Sequence, residues 1–182
     1  AMGLLDDRVA IVTGASSGIG RATALRLAGE GAAVIAIARR GERLKELEKA
    51  NARIEGFACD VSDHDALAKC VEQTVSQHGT IDILVNNAGI SHYERHTESS
   101  LEHWRQIQSV NIEAMYVLTK LVATHMIEHR YGRVINISST QSIASEASVG
   151  AYAASKGAIN AWSRALAVDL AEYGILVNVV AP

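Results

Sequence analysis

Tyr152 and Lys156 stand four residues apart in the run Tyr-Ala-Ala-Ser-Lys, which puts a phenol and an ammonium on one helix face, one turn apart. Such pairs also arise by chance on solvated helices, but the context here is more specific. The pair opens a helix rich in Ala and Gly, after an apolar strand and a Ser/Thr-rich loop, and Ser138 and Ser139 lie at the end of that strand. A phenol, a cation and a hydroxyl suit a reaction that creates an alkoxide, such as reduction of a ketone. A donor meets the oxygen and an acid protonates it. A free phenol has a pKa of about 10, and a nearby cation favours the phenolate. Either serine fits the hydroxyl.

The elements that must position this set begin near the other end of the chain. Val9, Ile11 and Val12 are β-branched and apolar, so Val9–Thr13 reads as a buried strand. Thr13-Gly14 breaks the pattern, and Gly14, Gly18 and Gly20 let the backbone turn sharply and approach another group closely. From Ile19 the pattern is helical, with Ala22, Leu25 and Gly29 on one face and Gly31 as the stop. Unpaired N–H groups and the positive end of a helix dipole then face the mouth of a strand, an arrangement suited to a pyrophosphate. A ligand-free strand–helix connection uses similar glycines; the strand before and the helix after favour a dinucleotide.

Further strands are expected at Ala33–Ala38, Ile54–Asp60, Ile81–Asn86, Gly132–Ser138 and Ile175–Val180. Helices alternate with them. One runs over Glu42–Ala50 with Leu44 and Leu47 inward, and one is capped by Asp63 and carries Leu67, Val71 and Val75. Another is capped by Ser99 or Ser100 and carries Leu101, Trp104 and Ile107, and two long helices span about 111–129 and 152–173. This alternation implies an α/β fold: a Rossmann-type doubly wound parallel sheet, order 3-2-1-4-5-6, with helices on both faces. Ligand then binds at the carboxyl ends of the strands, near the switch between strands 1 and 4. The long helices carry more apolar surface than one sheet contact needs. Ile112, Met115, Val122 and Met126 form a stripe, with Val117, Leu118 and Leu121 off it, and Ala158, Ala161, Trp162, Ala165 and Leu166 line the last helix. A deep core or a homodimer face accounts for them, and the second is favoured.

The acidic residue that holds the ribose 2′-hydroxyl of NAD is expected about 20 residues after the glycines. Ala38 occupies that place, followed by Arg39 and Arg40. No anion repels a 2′-phosphate there, and Arg39 can pair with one through its planar fork, which predicts NADP(H) over NAD(H).

The 182 residues are 48% hydrophobic and 20% charged, with a net charge of −3. That is one globular domain with material for a core, and its mild negative charge disfavours nucleic acid or an anionic membrane as the main partner. No apolar run reaches the length of a membrane span, and no export signal opens the chain. Ala1 before Met2 reads as a residue left by cloning, and Asp7 stands where myristoylation after Met2-Gly3 needs Ser or Thr. Cys59 and Cys70 are the two cysteines, read as small core residues in a reducing cytoplasm. Asn136-Ile137-Ser138 matches a glycosylation sequon but lies in a strand. His92 and His96, and His125 and His129, are pairs without a completing carboxylate or thiol set, so no metal site is expected.

Thr13-Gly14-Ala15-Ser16-Ser17-Gly18-Ile19-Gly20 (TGxxxGxG), Asn86-Asn87-Ala88-Gly89 (NNAG) and Tyr152-Ala-Ala-Ser-Lys156 (YxxxK) occur together. In this the chain resembles the short-chain dehydrogenase/reductase family, and within it enzymes similar to 3-oxoacyl-carrier-protein reductases. The resemblance spans about residues 4–182 and disfavours epimerases and dehydratases, whose glycines are spaced differently. It implies a catalytic set of Asn111, Ser139, Tyr152 and Lys156, and it selects Ser139 over Ser138 because the family's serine lies thirteen positions before the tyrosine. By the same resemblance Tyr152 is the acid in reduction and the base in oxidation. Lys156 tunes it and holds the nicotinamide ribose, Ser139 orients the carbonyl oxygen, and Asn111 supports a water-linked proton path to Lys156.

Cofactor contacts are implied at Gly14, Ser16, Ser17, Gly18, Ile19, Gly20, Arg39, Arg40, Asp60, Val61, Asn87, Ala88, Gly89, Tyr152 and Lys156. One departure is Ser17, where NADP-preferring relatives often carry a basic residue. Residues 1–182 read as a single dinucleotide-binding domain, with the family's substrate lid and last strand expected beyond Pro182. The implied function is interconversion of a ketone and a secondary alcohol in a cytoplasmic homodimer or homotetramer paired through the two long helices. A non-catalytic NADP-binding or scaffold protein is the alternative. Ser91, His92, Tyr93, Gln141, Ser142 and Ile143 are candidates to line the pocket of a small carbonyl or alcohol substrate.

Overall fold

The computed structural model describes residues 3–182; Ala1 and Met2, read above as a cloning remnant and its neighbour, lie outside them. Six parallel strands form one sheet: β1 (Val9–Thr13), β2 (Ala33–Ala38), β3 (Ile54–Ala58), β4 (Ile83–Asn86), β5 (Gly132–Ile137) and β6 (Ile175–Val180). Their order is β3-β2-β1-β4-β5-β6, as the alternation of elements predicts, so the direction of winding reverses between β1 and β4. The helices are α1 (Gly18–Gly29), α2 (Gly41–Ala50), α3 (His64–His78), α4 (Leu101–Gln108), α5 (Ala114–His129) and α6 (Gly150–Ala171).

Alternate residues of the strands feed two cores, one on each face of the sheet. Ile11, Leu84 and Val134 meet Leu67 and Val71 of α3 and Leu118, Val122 and Met126 of α5. Ala10, Val12, Ile83 and Val85 meet Ala24 and Ala28 of α1 and Leu44 and Leu47 of α2. This covering of both faces explains the near-continuous apolar strands. At the amino end of the sheet the Asp82 carboxylate accepts from Val9 N and Arg8 Nη1, at 2.9 and 3.0 Å.

Several local expectations are corrected. The buried face of α1 is Gly20, Ala24 and Ala28; Ala22 and Gly29 point to solvent. The strand expected to reach Asp60 ends at Ala58, because Asp60 turns back on Ser62. Asp63 caps α3 by accepting from Ala66 N, and Ser100 caps α4 by accepting from His103 N. In α4 Ile107 alone is buried; Leu101 and Trp104 lie on an outer face, 61% and 42% exposed. In α5 Leu118 belongs to the core, whereas Ile112, just before α5, is half-buried and outside it. The α5 helix is also no fresh start at Asn111. A π-helical turn, Ser109–Glu113, joins α4 to α5 in one continuous rod. Such turns frequently mark functional sites.

Candidate active site

Where β1 and β4 diverge, Thr13 fastens the opening. Its hydroxyl oxygen accepts from the backbone N–H groups of Asn87 and Ala88, both at 3.0 Å. Asn87 returns the contact, donating from Nδ2 to Thr13 O at 3.0 Å. The two amides of the Asn pair therefore have separate duties. Asn87 holds backbone of the glycine turn, whereas Asn86 points into the core and donates to Thr119 Oγ1 and Asn136 Oδ1, both at 2.9 Å. Asn136 in turn donates to Ser163 Oγ. It is fully buried, so its sequon is closed to modification in the folded chain.

The glycine turn fits a pyrophosphate. Gly14 and Gly18 have φ of +66° and +53°, in the left-handed region that glycine adopts without strain. A Cβ on Gly20 would collide with Asn87 Nδ2 and Gly14 O, so α1 starts directly against the turn. No side chain caps the first N–H groups of α1. Ser17, at the cap position, instead accepts from Arg40 Nη2 at 3.0 Å, and Ser16 accepts from the same group at 2.8 Å. Those N–H groups remain available to an anion.

A cleft of about 840 Å³ runs from this turn along the sheet edge. Of the expected cofactor residues it collects Gly14, Ser16, Ser17, Arg39, Arg40, Asp60, Val61, Asn87, Ala88 and Gly89. Gly18, which is exposed, and Gly20, which is buried against Asn87, do not line it. Arg39 reaches toward Asp60, with Nη1 at 3.8 Å from Oδ2, while Arg40 forks over the serines. Asp60 accepts from Ser62 N and Oγ at 3.0 and 2.8 Å. These bonds, the backbone one foremost, and the Arg39 charge hold its carboxyl below the usual range against partial burial. Cys59 lines the same cleft; burial, aided by the charges of Asp63 and Asp60, pushes its thiol up to about 11, and burial pushes Cys70 to about 12. Both are free thiols with little thiolate at neutral pH.

A second cleft of about 440 Å³ continues from the first past Asn87, Gly89 and Ile90. Ile19, Ser139, Tyr152 and Lys156 line it, with Ser91, Tyr93, Gln141, Glu146 and Val149. Of the expected pocket residues, Ser142 and Ile143 are not on this wall and His92 lines the first cleft. His92 stacks on His103 at 4.3 Å between ring centroids, and His103 pairs with Glu94. Among the described residues no group of three or more His, Cys, Asp or Glu side chains is placed to hold a metal ion.

The chemistry-bearing side chains converge here. Lys156 is 3% exposed and donates from Nζ to Ile137 O at 2.8 Å, with Nζ 5.4 Å from the centre of the Tyr152 ring. Burial pulls its ammonium down to about 8. Ser138 and Ser139 are now distinct. Both line the cleft, but Ser138 is buried and its hydroxyl proton is given to Lys156 O at 3.0 Å, whereas Ser139 is half-buried and its hydroxyl oxygen accepts from Gln141 N at 3.3 Å. Asn111, fully buried in the π-helical turn, clasps Ile90: Nδ2 donates to Ile90 O at 3.0 Å and Oδ1 accepts from Ile90 N at 2.8 Å. Nδ2 also donates to Ser155 Oγ at 3.0 Å. A Cβ on Gly89 would lie 3.4 Å from Asn111 Oδ1 and 3.5 Å from Lys156 Nζ, so these three residues share one corner. Thr13 and Ser155 are the supports that sequence reasoning missed, although both stand inside the quoted motifs.

A doubly wound sheet whose switch point joins a glycine turn to a Tyr–Lys helix defines an oxidoreductase that binds a nicotinamide cofactor and acts on CH–OH or keto groups. The family model "short chain dehydrogenase" matches residues 8–182, and the chain belongs to the short-chain dehydrogenase/reductase family. It is similar to the 3-oxoacyl-[acyl-carrier-protein] reductase of Thermotoga maritima, 37% identical over 182 residues that cover 98% of this chain and 74% of the relative. Among solved structures it resembles an NAD+-bound xylitol dehydrogenase, with TM-score 0.94, 33% identity, and coverage of 98% of this chain and 71% of that one. A metagenomic short-chain oxidoreductase in complex with NADP matches with the same TM-score, at 37% identity over 98% of this chain and 83% of that one. No helix among the described residues is long and apolar enough to cross a membrane.

Proposed function

We propose that the protein interconverts a ketone and a secondary alcohol with NADP(H), with Tyr152 as the acid in reduction and the base in oxidation. The observation that carries this reading is the meeting of Tyr152, buried Lys156 and the Ser139 hydroxyl on one cleft wall, next to the glycine turn. The nicotinamide ring, when bound, supplies the hydride for reduction and takes it in oxidation. Ser139 Oγ–H meets the carbonyl oxygen and orients it, and Tyr152 O–H delivers the proton to the forming alkoxide. The Lys156 ammonium stabilises the negative charge left on the Tyr152 oxygen and binds the nicotinamide ribose. Asn111 keeps Ile90 and Ser155 in place, and with them the corner through which water returns a proton to Lys156. Residues 1–182 serve as one dinucleotide-binding domain.

Gly14, Ser16, Ser17, Gly18, Ile19 and Gly20 hold the pyrophosphate side, Asp60 and Val61 the adenine, and Asn87, Ala88 and Gly89 the inner wall. Arg39 and Arg40 take the 2′-phosphate; the fork of Arg40 over Ser16 and Ser17 supports this, as does Ala38 in place of an acid. The substrate is a small carbonyl or alcohol, with 3-oxoacyl thioesters the first class to try. Ile112, Tyr116, Val117, Ala158 and Trp162 line an apolar groove between the outer faces of α5 and α6, which supports pairing with a second copy there in a dimer or tetramer. Two unpaired thiols fit a cytoplasmic setting.

The test follows oxidation of NADPH and of NADH with ethyl acetoacetate. NADPH should be preferred, and Arg39→Asp should turn the preference toward NADH by about tenfold or more, the loss of a charge-assisted pair and the gain of a repulsion. An unchanged ratio would refute the 2′-phosphate contact.

A further inference from the structure

Tyr152 and Lys156 continue into a third polar residue on the same helix, Asn160, four residues after the lysine. Its Nδ2 donates to Ser142 Oγ at 2.8 Å, across the gap between α6 and the single 3₁₀ turn Thr140–Ser142 that leaves the end of β5. Ser142 in turn donates from Oγ to Ser139 O at 2.6 Å, and its backbone N–H donates to the same oxygen at 3.0 Å. The single hydroxyl proton of Ser142 is thus committed to Ser139, and only a lone pair is left for Asn160. The amide must therefore present its NH₂ group. Its other end, Oδ1, is buried without a hydrogen-bond partner. A buried unpaired acceptor destabilises a fold, and an apolar residue of similar size avoids that penalty. Strain against stability of this kind is expected where a residue serves the site.

We infer that Asn160 is a positioning residue: through Ser142 it fixes the turn that aims the Ser139 hydroxyl into the cleft. One rigid helix then sets the acid, the cation and the hydrogen-bond donor relative to each other, Tyr152 and Lys156 by their own side chains and Ser139 through the Asn160–Ser142 relay. The chain of two bonds is polarised in one direction, Asn160 to Ser142 to Ser139, so each strengthens the next. The role of Ser139 in turnover rests on the reading given under Proposed function; the clamp itself does not.

The test uses Asn160→Leu, which removes the donor and the orphan acceptor together, and two readouts on the full chain. Amide hydrogen exchange over residues 139–144 should speed up, while exchange in the rest of α6 and the melting temperature stay unchanged or the latter rises. Exchange that does not change would overturn the clamp whether or not the protein turns over. With NADPH and ethyl acetoacetate, kcat should fall by about ten- to a hundredfold, the scale of a misaimed catalytic group, with NADPH affinity unaltered. Ser142→Ala should give a similar fall, and the double variant should lose no more than either single one. Faster exchange with undiminished kcat, or additive losses, would overturn the positioning role. A parent inactive toward ethyl acetoacetate would instead count against the 3-oxo ester substrate class, with the exchange result still deciding the clamp.

Discussion

Lys156 Nζ and Ile137 O are 2.8 Å apart, and this bond ties the helix that carries Tyr152 to the strand that delivers Ser139. It also satisfies a cation that the fold has removed almost wholly from water. Active-site geometry and a local loss of stability therefore have one origin.

That origin gives a pH dependence. The Lys156 ammonium ionises at about 8 in the folded chain and at 10.5 when free of the fold. Between these values the unfolded chain holds the proton and the folded chain does not, so the contribution of this group to stability rises with pH. Below pH 8 the charged form is buried at full penalty. Lys156→Met should accordingly abolish turnover yet stabilise the fold by about 1–3 kcal/mol at pH 6, with the gain shrinking from pH 8 toward 10.5. Urea unfolding at pH 6 and pH 9.5 checks the sign; a variant less stable at pH 6 than the parent speaks against a penalised ammonium.

Glycines of the turn should differ in what an added methyl does. Gly18 has a left-handed φ but open space around it, so Gly18→Ala meets backbone strain alone, about 1–2 kcal/mol. Gly20→Ala drives a methyl into Gly14 O and Asn87 Nδ2 and displaces the turn itself. Its melting temperature should fall further than that of Gly18→Ala, and its dinucleotide affinity with it. Equal effects in thermal unfolding would contradict the packing given for the start of α1.

The buried amides make a third case. Asn136→Ala removes the donor to Ser163 Oγ and one of the two acceptors of Asn86 Nδ2, whose bond to Thr119 Oγ1 remains, and so leaves polar capacity unmet between β4, β5 and α6. A loss of about 2–3 kcal/mol is expected in urea denaturation. A loss under about 0.5 kcal/mol would mean that water or a shifted side chain replaces the bond.

Much of this was legible in the chain itself. The bounds of β1, β2 and β6 follow from runs such as Ala-Val-Ile-Ala-Ile-Ala, apolar throughout, short, and rich in β-branched residues. The motifs located the glycine turn, Tyr152 and Lys156, and the structure gathers them at the carboxyl edge of the sheet. What escaped depends on distant neighbours. The buried side of α1 is made of Gly20, Ala24 and Ala28, residues too small to mark a stripe, and they are buried because the helix lies close to the sheet. Leu101 and Trp104 have the spacing of a core face, yet α4 packs on Ile107 and leaves them outside. Asn86 and Asn136 are opposite each other only in the register of β4 and β5. The π-helical turn around Asn111 has no local signature either; it coincides with the clasp on Ile90, 21 residues earlier in the chain.

The central claim is that the Tyr152 hydroxyl supplies the proton that completes reduction. Tyr152→Phe deletes that oxygen and little else, and the measurement is single-turnover oxidation of bound NADPH by ethyl acetoacetate, with NADPH affinity read on the same samples. The account predicts a fall of at least about a hundredfold in rate, the contribution of a general acid, with affinity retained. A variant that binds NADPH and still oxidises it at the parent rate would contradict the account.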